Sequence, residues 1–180
     1  MFKKNLFLGL IFLSSVTTAC FSIDRRGGVL GVKHQTVETG FGKFEVGVLP
    51  EGWSRPKVRL KQLVYENNNL GATIVTDALC GPKFEDAPLR RLAVDLFAFP
   101  DKSGPVKIVS EKEMLIDGRQ AYSMVGEGIL DGVKMLMEVV VLKKDFCLYD
   151  FVVFSKPSSF QNAQKDFKNY VSGFRSSQAR

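Results

Sequence analysis

The chain has 180 residues, of which 45% are hydrophobic and 24% are charged, and its formal net charge is +6. This length and composition indicate one domain that can bury a proper hydrophobic core. The mild charge excludes the strongly basic class of nucleic-acid-binding proteins, so we expect no nucleic-acid partner.

The first 19 residues have the three regions of a secretory signal peptide. Two lysines form the positive region, residues 6–13 are apolar, and small residues run up to Ala19. The apolar run is far shorter than the ~20 residues that a membrane-spanning helix needs. The small residues directly before Cys20 resemble the lipobox of bacterial lipoproteins. This resemblance implies that Cys20 becomes a lipidated mature N-terminus, and the alternative is ordinary secretory cleavage that leaves its thiol free.

The lipobox resemblance also implies a cellular location and a membrane partner. The protein would face the periplasm in the cell envelope, with the membrane as a partner through acyl chains on Cys20. In envelopes with two membranes, an aspartate after the cysteine resembles an inner-membrane signal, so Phe21 implies the outer membrane.

Residues 20–39 are polar and interrupted by glycines, which predicts a tether. We expect the domain at residues 40–175 and a frayed tail at residues 176–180.

The first part of the domain predicts three strands and a basic surface. Residues 41–49 alternate toward a strand, and residues 57–66 and 71–76 flank an asparagine-rich loop, which is typical of a hairpin. Strand alternation would place four basic side chains on one face, where they could contact anionic lipid or an acidic partner. The alternative is that they guard an exposed sheet edge. This basic ridge consists of Arg55, Lys57, Arg59 and Lys61.

The second part predicts two helices and a meander. Pro88 precedes apolar residues at helical spacing, and a capping box of Ser158 and Gln161 indicates a helix from about residue 159. Four strands joined by tight turns are predicted at residues 108–116, 119–127, 133–143 and 146–155. The last two are apolar on both sides, so helices must cover both faces of their sheet. The predicted fold class is α+β, an antiparallel β-sheet flanked by helices on both faces in an α/β/α sandwich.

Three segments of the chain resemble the PsbP-like superfamily. They are Phe44–Trp53, which ends in Pro-Glu-Gly-Trp, Leu115–Tyr122 with Asp-Gly-Arg, and Phe167–Phe174 with Tyr-Val-Ser-Gly-Phe. The similarity covers roughly residues 41–174. It implies the fold of a binding scaffold, which serves an extrinsic photosystem subunit, a nuclear import factor and many small bacterial lipoproteins, and it transfers no site residue to this chain.

The reactive residue types give no catalytic or metal signature. His34 is the only histidine and lies in the predicted tether, so a catalytic triad, a zinc site or another cofactor site is not expected. Glu111 and Glu113 share a strand face, where a solvated edge explains them better than acid–base chemistry. Cys80 and Cys147 are an even pair in a compartment where disulfides persist, which predicts a disulfide; two separate buried thiols are the alternative.

These observations favour a non-catalytic, lipid-anchored accessory protein that binds another envelope protein through its sheet edge or a loop. A second hypothesis is a carrier of small ligands or lipids. It requires a pocket between sheet and helix, lined by Met135, Met137, Phe151 or Phe160. A hydrolase is the remaining alternative.

Overall fold

A computed structural model describes residues 29–33, 35–57, 62–81, 87–97 and 106–178. These residues form ten strands and two helices. In chain order they are β1 (Val29–Lys33), β2 (Thr36–Thr39), β3 (Gly42–Glu45), β4 (Leu63–Asn67), β5 (Ala72–Cys80), α1 (Leu89–Asp95), β6 (Lys107–Ile116), β7 (Arg119–Leu130), β8 (Val133–Lys144), β9 (Cys147–Ser155), α2 (Pro157–Ser172) and β10 (Arg175–Gln178).

The larger sheet has six strands in the order β4-β5-β9-β8-β7-β6, and all neighbours are antiparallel. The predicted meander of β6 to β9 is confirmed. Two of its turns use Asp-Gly pairs with positive φ at both positions, Asp117-Gly118 and Asp131-Gly132. This is the geometry of a tight hairpin turn whose twist matches that of its strands. The turn between β8 and β9 adopts the same geometry with Asp145 and Phe146.

Helices cover both faces of the larger sheet, as the apolar pattern of β8 and β9 predicts. Helix α2 packs on β5, β8 and β9, and α1 packs on β7 and β8. Under α2 the core is aromatic, and Phe151, Phe167 and Phe174 are fully buried. Under α1 it is mainly aliphatic, with Met124, Val139 and Val141 inaccessible to solvent. The α+β fold class is therefore confirmed.

The start of α2 differs from its prediction. Pro157 is the first helical residue and Lys156 is the N-cap, with no side-chain cap hydrogen bond. The capping box of Ser158 and Gln161 is therefore wrong. A proline at the first position needs no N–H partner and already has a helical φ, so it begins the helix one residue before the predicted cap.

The ends of the predicted domain also differ from the structure. Residues 29–33 and 36–39, predicted to belong to a tether, form β1 and β2 of a second sheet with the order β1-β2-β3-β10. Val37 is buried between a partly buried Thr36 and an exposed Glu38, which is typical of a strand covered on one face. Residues 176–178, placed in the frayed tail, pair with β3. Short polar strands carry little local signal, so their partners decide whether they form.

Close backbone contact holds the second sheet to the end of α2. The Gly47 amide donates a hydrogen bond of 2.8 Å to the Tyr170 carbonyl. A Cβ atom at Gly47 or at Gly173 would overlap the backbone of the other segment. Glycine is therefore required at both positions so that the chain can cross the helix end.

Candidate functional site

An apolar pocket lies on the α1 face of the larger sheet, between the strands and the side chains of Leu96, Phe97 and Val106. Its volume is about 230 Å³. Among the described residues, those that line it have apolar side chains or are glycines: Val75, Leu96, Phe97, Val106, Gly126, Gly128, Ile129, Leu130, Met135, Met137, Val152 and Phe154. This part of the lining can bind apolar groups and contributes no acid, base or nucleophile.

Two glycines of β7 line this pocket, and at one of them neighbouring side chains pack closely on the strand backbone. A Cβ atom at Gly126 would lie 2.6 Å from Phe97 Cε1 and 2.7 Å from Val106 Cγ1. The side chains of Phe97 and Val106 therefore pack directly on the β7 backbone. Gly128 also lines the pocket, and it lies opposite Met135 on the neighbouring strand, as Gly126 lies opposite Met137.

The four residues predicted for a ligand pocket divide between the two faces of the sheet. Met135 and Met137 line the pocket. Phe151 and Phe160 lie in the core beneath α2, so that part of the prediction is wrong. The two faces alternate along β9, and Phe151 takes the opposite face from Val152. On the pocket side, β9 instead contributes Val152 and Phe154.

Two carboxyl groups lie opposite each other on adjacent strands, two residues along each strand from the pocket lining. Asp77 of β5 is directly opposite Asp150 of β9, next to the pocket-lining pair Val75 and Val152. Burial, and then the charge of Asp77, raise the pKa of Asp150 to about 7. One Asp150 oxygen is buried and has no hydrogen-bond partner among the described residues. Each aspartate interrupts an otherwise largely apolar strand, and this pattern is visible in the sequence.

Strand β6 is an outer strand of the larger sheet, and residues 107–113 are all exposed. Ile108, Val109 and Leu115 present apolar side chains to solvent. An extra residue at Val109 shifts the register with β7, which forms a bulge.

The two glutamates of β6 point to the same side but have different partners. Glu111 accepts hydrogen bonds from the Tyr122 hydroxyl at 2.8 Å and from Arg90 Nε at 3.0 Å. The hydrogen bond from Tyr122 and then that from Arg90 lower the pKa of Glu111. Glu113 accepts a hydrogen bond from Gln120. The contacts tie α1 to the sheet edge and do not make the two glutamates an acid–base pair.

The predicted disulfide is present in the structure. Cys80 and Cys147 are directly opposite each other on β5 and β9 and form a disulfide with an S–S distance of 2.05 Å.

The structure describes only part of the predicted basic ridge. Arg55 and Lys57 are exposed, and Arg59 and Lys61 lie outside the described residues. Strand β4 begins at Leu63, so Lys57 precedes the strand on which the predicted alternation depended. The ridge stays a prediction.

Cys20 and His34 lie outside the described residues. Within the described ranges, no helix is long and apolar enough to span a membrane. Nor do three His, Cys, Asp or Glu side chains in those ranges come together as metal ligands.

No known protein-family model matches the chain, and no curated protein matches its sequence. Solved structures do match its fold. Cyanobacterial PsbP (CyanoP) from Synechocystis sp. PCC 6803 superposes with a TM-score of 0.55 at 13% identity, over 73% of this chain and 85% of that one. LpqN of Mycobacterium tuberculosis, described as involved in cell envelope biogenesis, gives a TM-score of 0.51 at 12% identity, over 76% and 85%. These similarities show a PsbP-like fold.

Proposed function

We propose that this chain is a non-catalytic, lipid-anchored accessory protein of the cell envelope that binds another envelope protein through the outer edge of β6. The observation that carries the proposal is the exposure of that ten-residue edge strand. The apolar character of the described pocket lining supports a binding role, and the fold similarity to a protein of envelope biogenesis supports the location.

The two edges of the larger sheet differ in how they are covered. At the β4 edge, Ser54 and Glu66 exchange two backbone hydrogen bonds of 2.9 and 2.8 Å. Beyond β6, the described residues place no further strand. An extended segment of a partner can add to such an edge through backbone hydrogen bonds, while its side chains contact neighbours on the strand. Val109 is 56% exposed and Leu115 is 76% exposed, so both are available for such contacts.

The edge proposal is tested by crosslinking in the native envelope. A photoreactive amino acid at Leu115 should give a reproducible crosslink to one envelope protein, because an added strand lies about 5 Å away. The matched control is the same amino acid at Val48, which is 71% exposed and lies outside the larger sheet. Mass spectrometry of the crosslinked species identifies the partner. Equal capture at both positions, or none at Leu115, contradicts binding at β6.

The anchor is tested through the mass and sorting of the protein. Intact mass spectrometry of the mature protein should show an N-terminal Cys20 that carries acyl chains. Cys20→Ser should abolish both the added mass and the membrane association. In a host with two membranes, Phe21→Asp is the control that keeps lipidation and should move the protein toward the inner membrane. A mature protein without acyl chains would contradict the anchor.

A second candidate function, a carrier of small apolar ligands or lipids, is favoured by the pocket itself. Met135 and Met137 were predicted to line such a pocket, and both line it. The two functions use different surfaces, since the pocket lies on the sheet face and the proposed partner site is the strand edge. They can be tested separately.

A further inference from the structure

We infer that the pocket binds one unbranched hydrocarbon chain, such as the acyl chain of a lipid, with the polar end of the ligand outside. The inference deepens the second candidate function by naming its ligand class. It does not depend on the partner proposed at β6.

The described lining of the pocket disfavours polar and charged ligand groups. Its residues are aliphatic, aromatic or thioether side chains and two glycines. A polar ligand group held against them would lose its hydrogen bonds to water and gain none from these side chains, which opposes binding. The nearest acidic pair, Asp77 and Asp150, is two residues away along each strand and does not line the pocket.

The dimensions of the pocket indicate a chain rather than a compact ring system. The lining crosses four adjacent strands, from Val75 of β5 through Val152 of β9 and Met137 of β8 to Gly126 of β7. Three interstrand spacings make this about 14 Å. A volume of about 230 Å³ spread over that length leaves a narrow channel. If a methylene group takes about the volume of a water molecule, ~30 Å³, about eight of them fill it.

The walls suit a flexible occupant that enters from one end. Met135 and Met137 have unbranched, polarisable side chains that adapt to irregular apolar shapes. Leu130 lines the pocket next to the turn between β7 and β8, and its strand partner Val133 is 43% exposed, so the pocket approaches the surface there. The polar head of an amphiphile bound by its tail would remain in water at this mouth.

The test is a series of 1-alkanols from butanol to dodecanol with the protein intact and its disulfide formed. Binding is followed by NMR of methyl-labelled methionines. We expect the signals of Met135 and Met137 to shift. Affinity should rise about fourfold for each added methylene, up to about eight, and then level off. Cyclooctanol, with similar carbon content in a compact ring, should bind at least tenfold more weakly than octanol.

A pair of variants locates the site. Met135→Trp fills the pocket and should abolish octanol binding. Met114→Trp is the matched control, since Met114 is also a partly buried strand methionine but packs against the core on the α2 side. Retention of octanol binding in Met135→Trp would overturn the site. The length series uses the unmodified protein, so it decides the ligand class even if the variant fails to fold.

The remaining outcomes separate the inference from the carrier function. If cyclooctanol binds as tightly as octanol at the same methionines, the inference of an unbranched-chain ligand is overturned. The carrier function is then kept, with compact apolar molecules as its ligands. If no alcohol shifts Met135 or Met137, both the inference and the carrier function are overturned, and the partner site at β6 is unaffected.

Discussion

Removal of the disulfide between Cys80 and Cys147 should lower the free energy of unfolding by about 4 kcal/mol, the value that the chain-entropy model gives for a loop of this length. The two cysteines are 67 positions apart, so the bond restricts a large part of the unfolded chain. They join the end of β5 to the start of β9, in the middle of the larger sheet.

The measurement is denaturant unfolding of the double variant Cys80→Ala, Cys147→Ala beside the parent protein. Both side chains are buried, and alanine keeps the site apolar. With a strong reductant present, the parent should unfold close to the double variant, which serves as the control. Alkylation shows whether the reductant has freed both thiols. If it has, and the denaturant midpoint of the parent protein does not change, the prediction is contradicted.

Replacement of Asp150 by asparagine should stabilise the protein above neutral pH. The pKa of Asp150 is raised to about 7, first by burial and then by Asp77, whereas an unfolded aspartate has a pKa of about 3.9. The folded state therefore binds more protons between these values, and stability falls as the pH rises from about 4 to about 7. Asp150→Asn removes this cost, and we expect a gain of about 2 kcal/mol at pH 8, roughly half of the full shift because some solvent contact remains.

Unfolding measured at pH 4.5 and at pH 8 checks the prediction, since the gain at the lower pH should be about a quarter of the gain at the higher pH. Asp131→Asn is the control. Asp131 is an exposed turn residue with positive φ, a conformation that asparagine also tolerates. Asp77→Asn should give part of the same gain, because it removes the charge opposite Asp150. An equal gain at both pH values would show that the effect does not come from titration.

The sequence predicts the larger sheet well because its signals are local. Strands β8 and β9 are apolar on both sides, and the Asp-Gly pairs of the meander allow the tight turns between neighbouring strands. The covering helices follow from the need to bury both faces. The disulfide was predicted from cysteine count and compartment, and its partners prove to be opposite each other on adjacent strands.

The smaller sheet and the pocket are harder to predict because they depend on distant parts of the chain. Strand β10 has four residues and forms only against β3, which lies about 130 positions earlier. The pocket wall depends on the absence of a side chain at Gly126, where Phe97 and Val106 pack on the strand, and Gly128 also lines the pocket. Glycine in a strand indicates a close approach, but it does not say what approaches.

The pairing of β10 with β3 sets an order for folding. None of the strands β4 to β9 pairs with β10 or with β1 to β3 in the described part of the chain, so the larger sheet can form before the last residues are in place. The smaller sheet needs both its early strands and residues 175–178. Closing so long a loop is entropically costly, which makes this contact late and slow. During synthesis, β1, β2 and β3 can pair with one another at once, whereas β3 gains its second neighbour only when the C-terminus is made. Loss of the last few residues would leave β3 as an open edge.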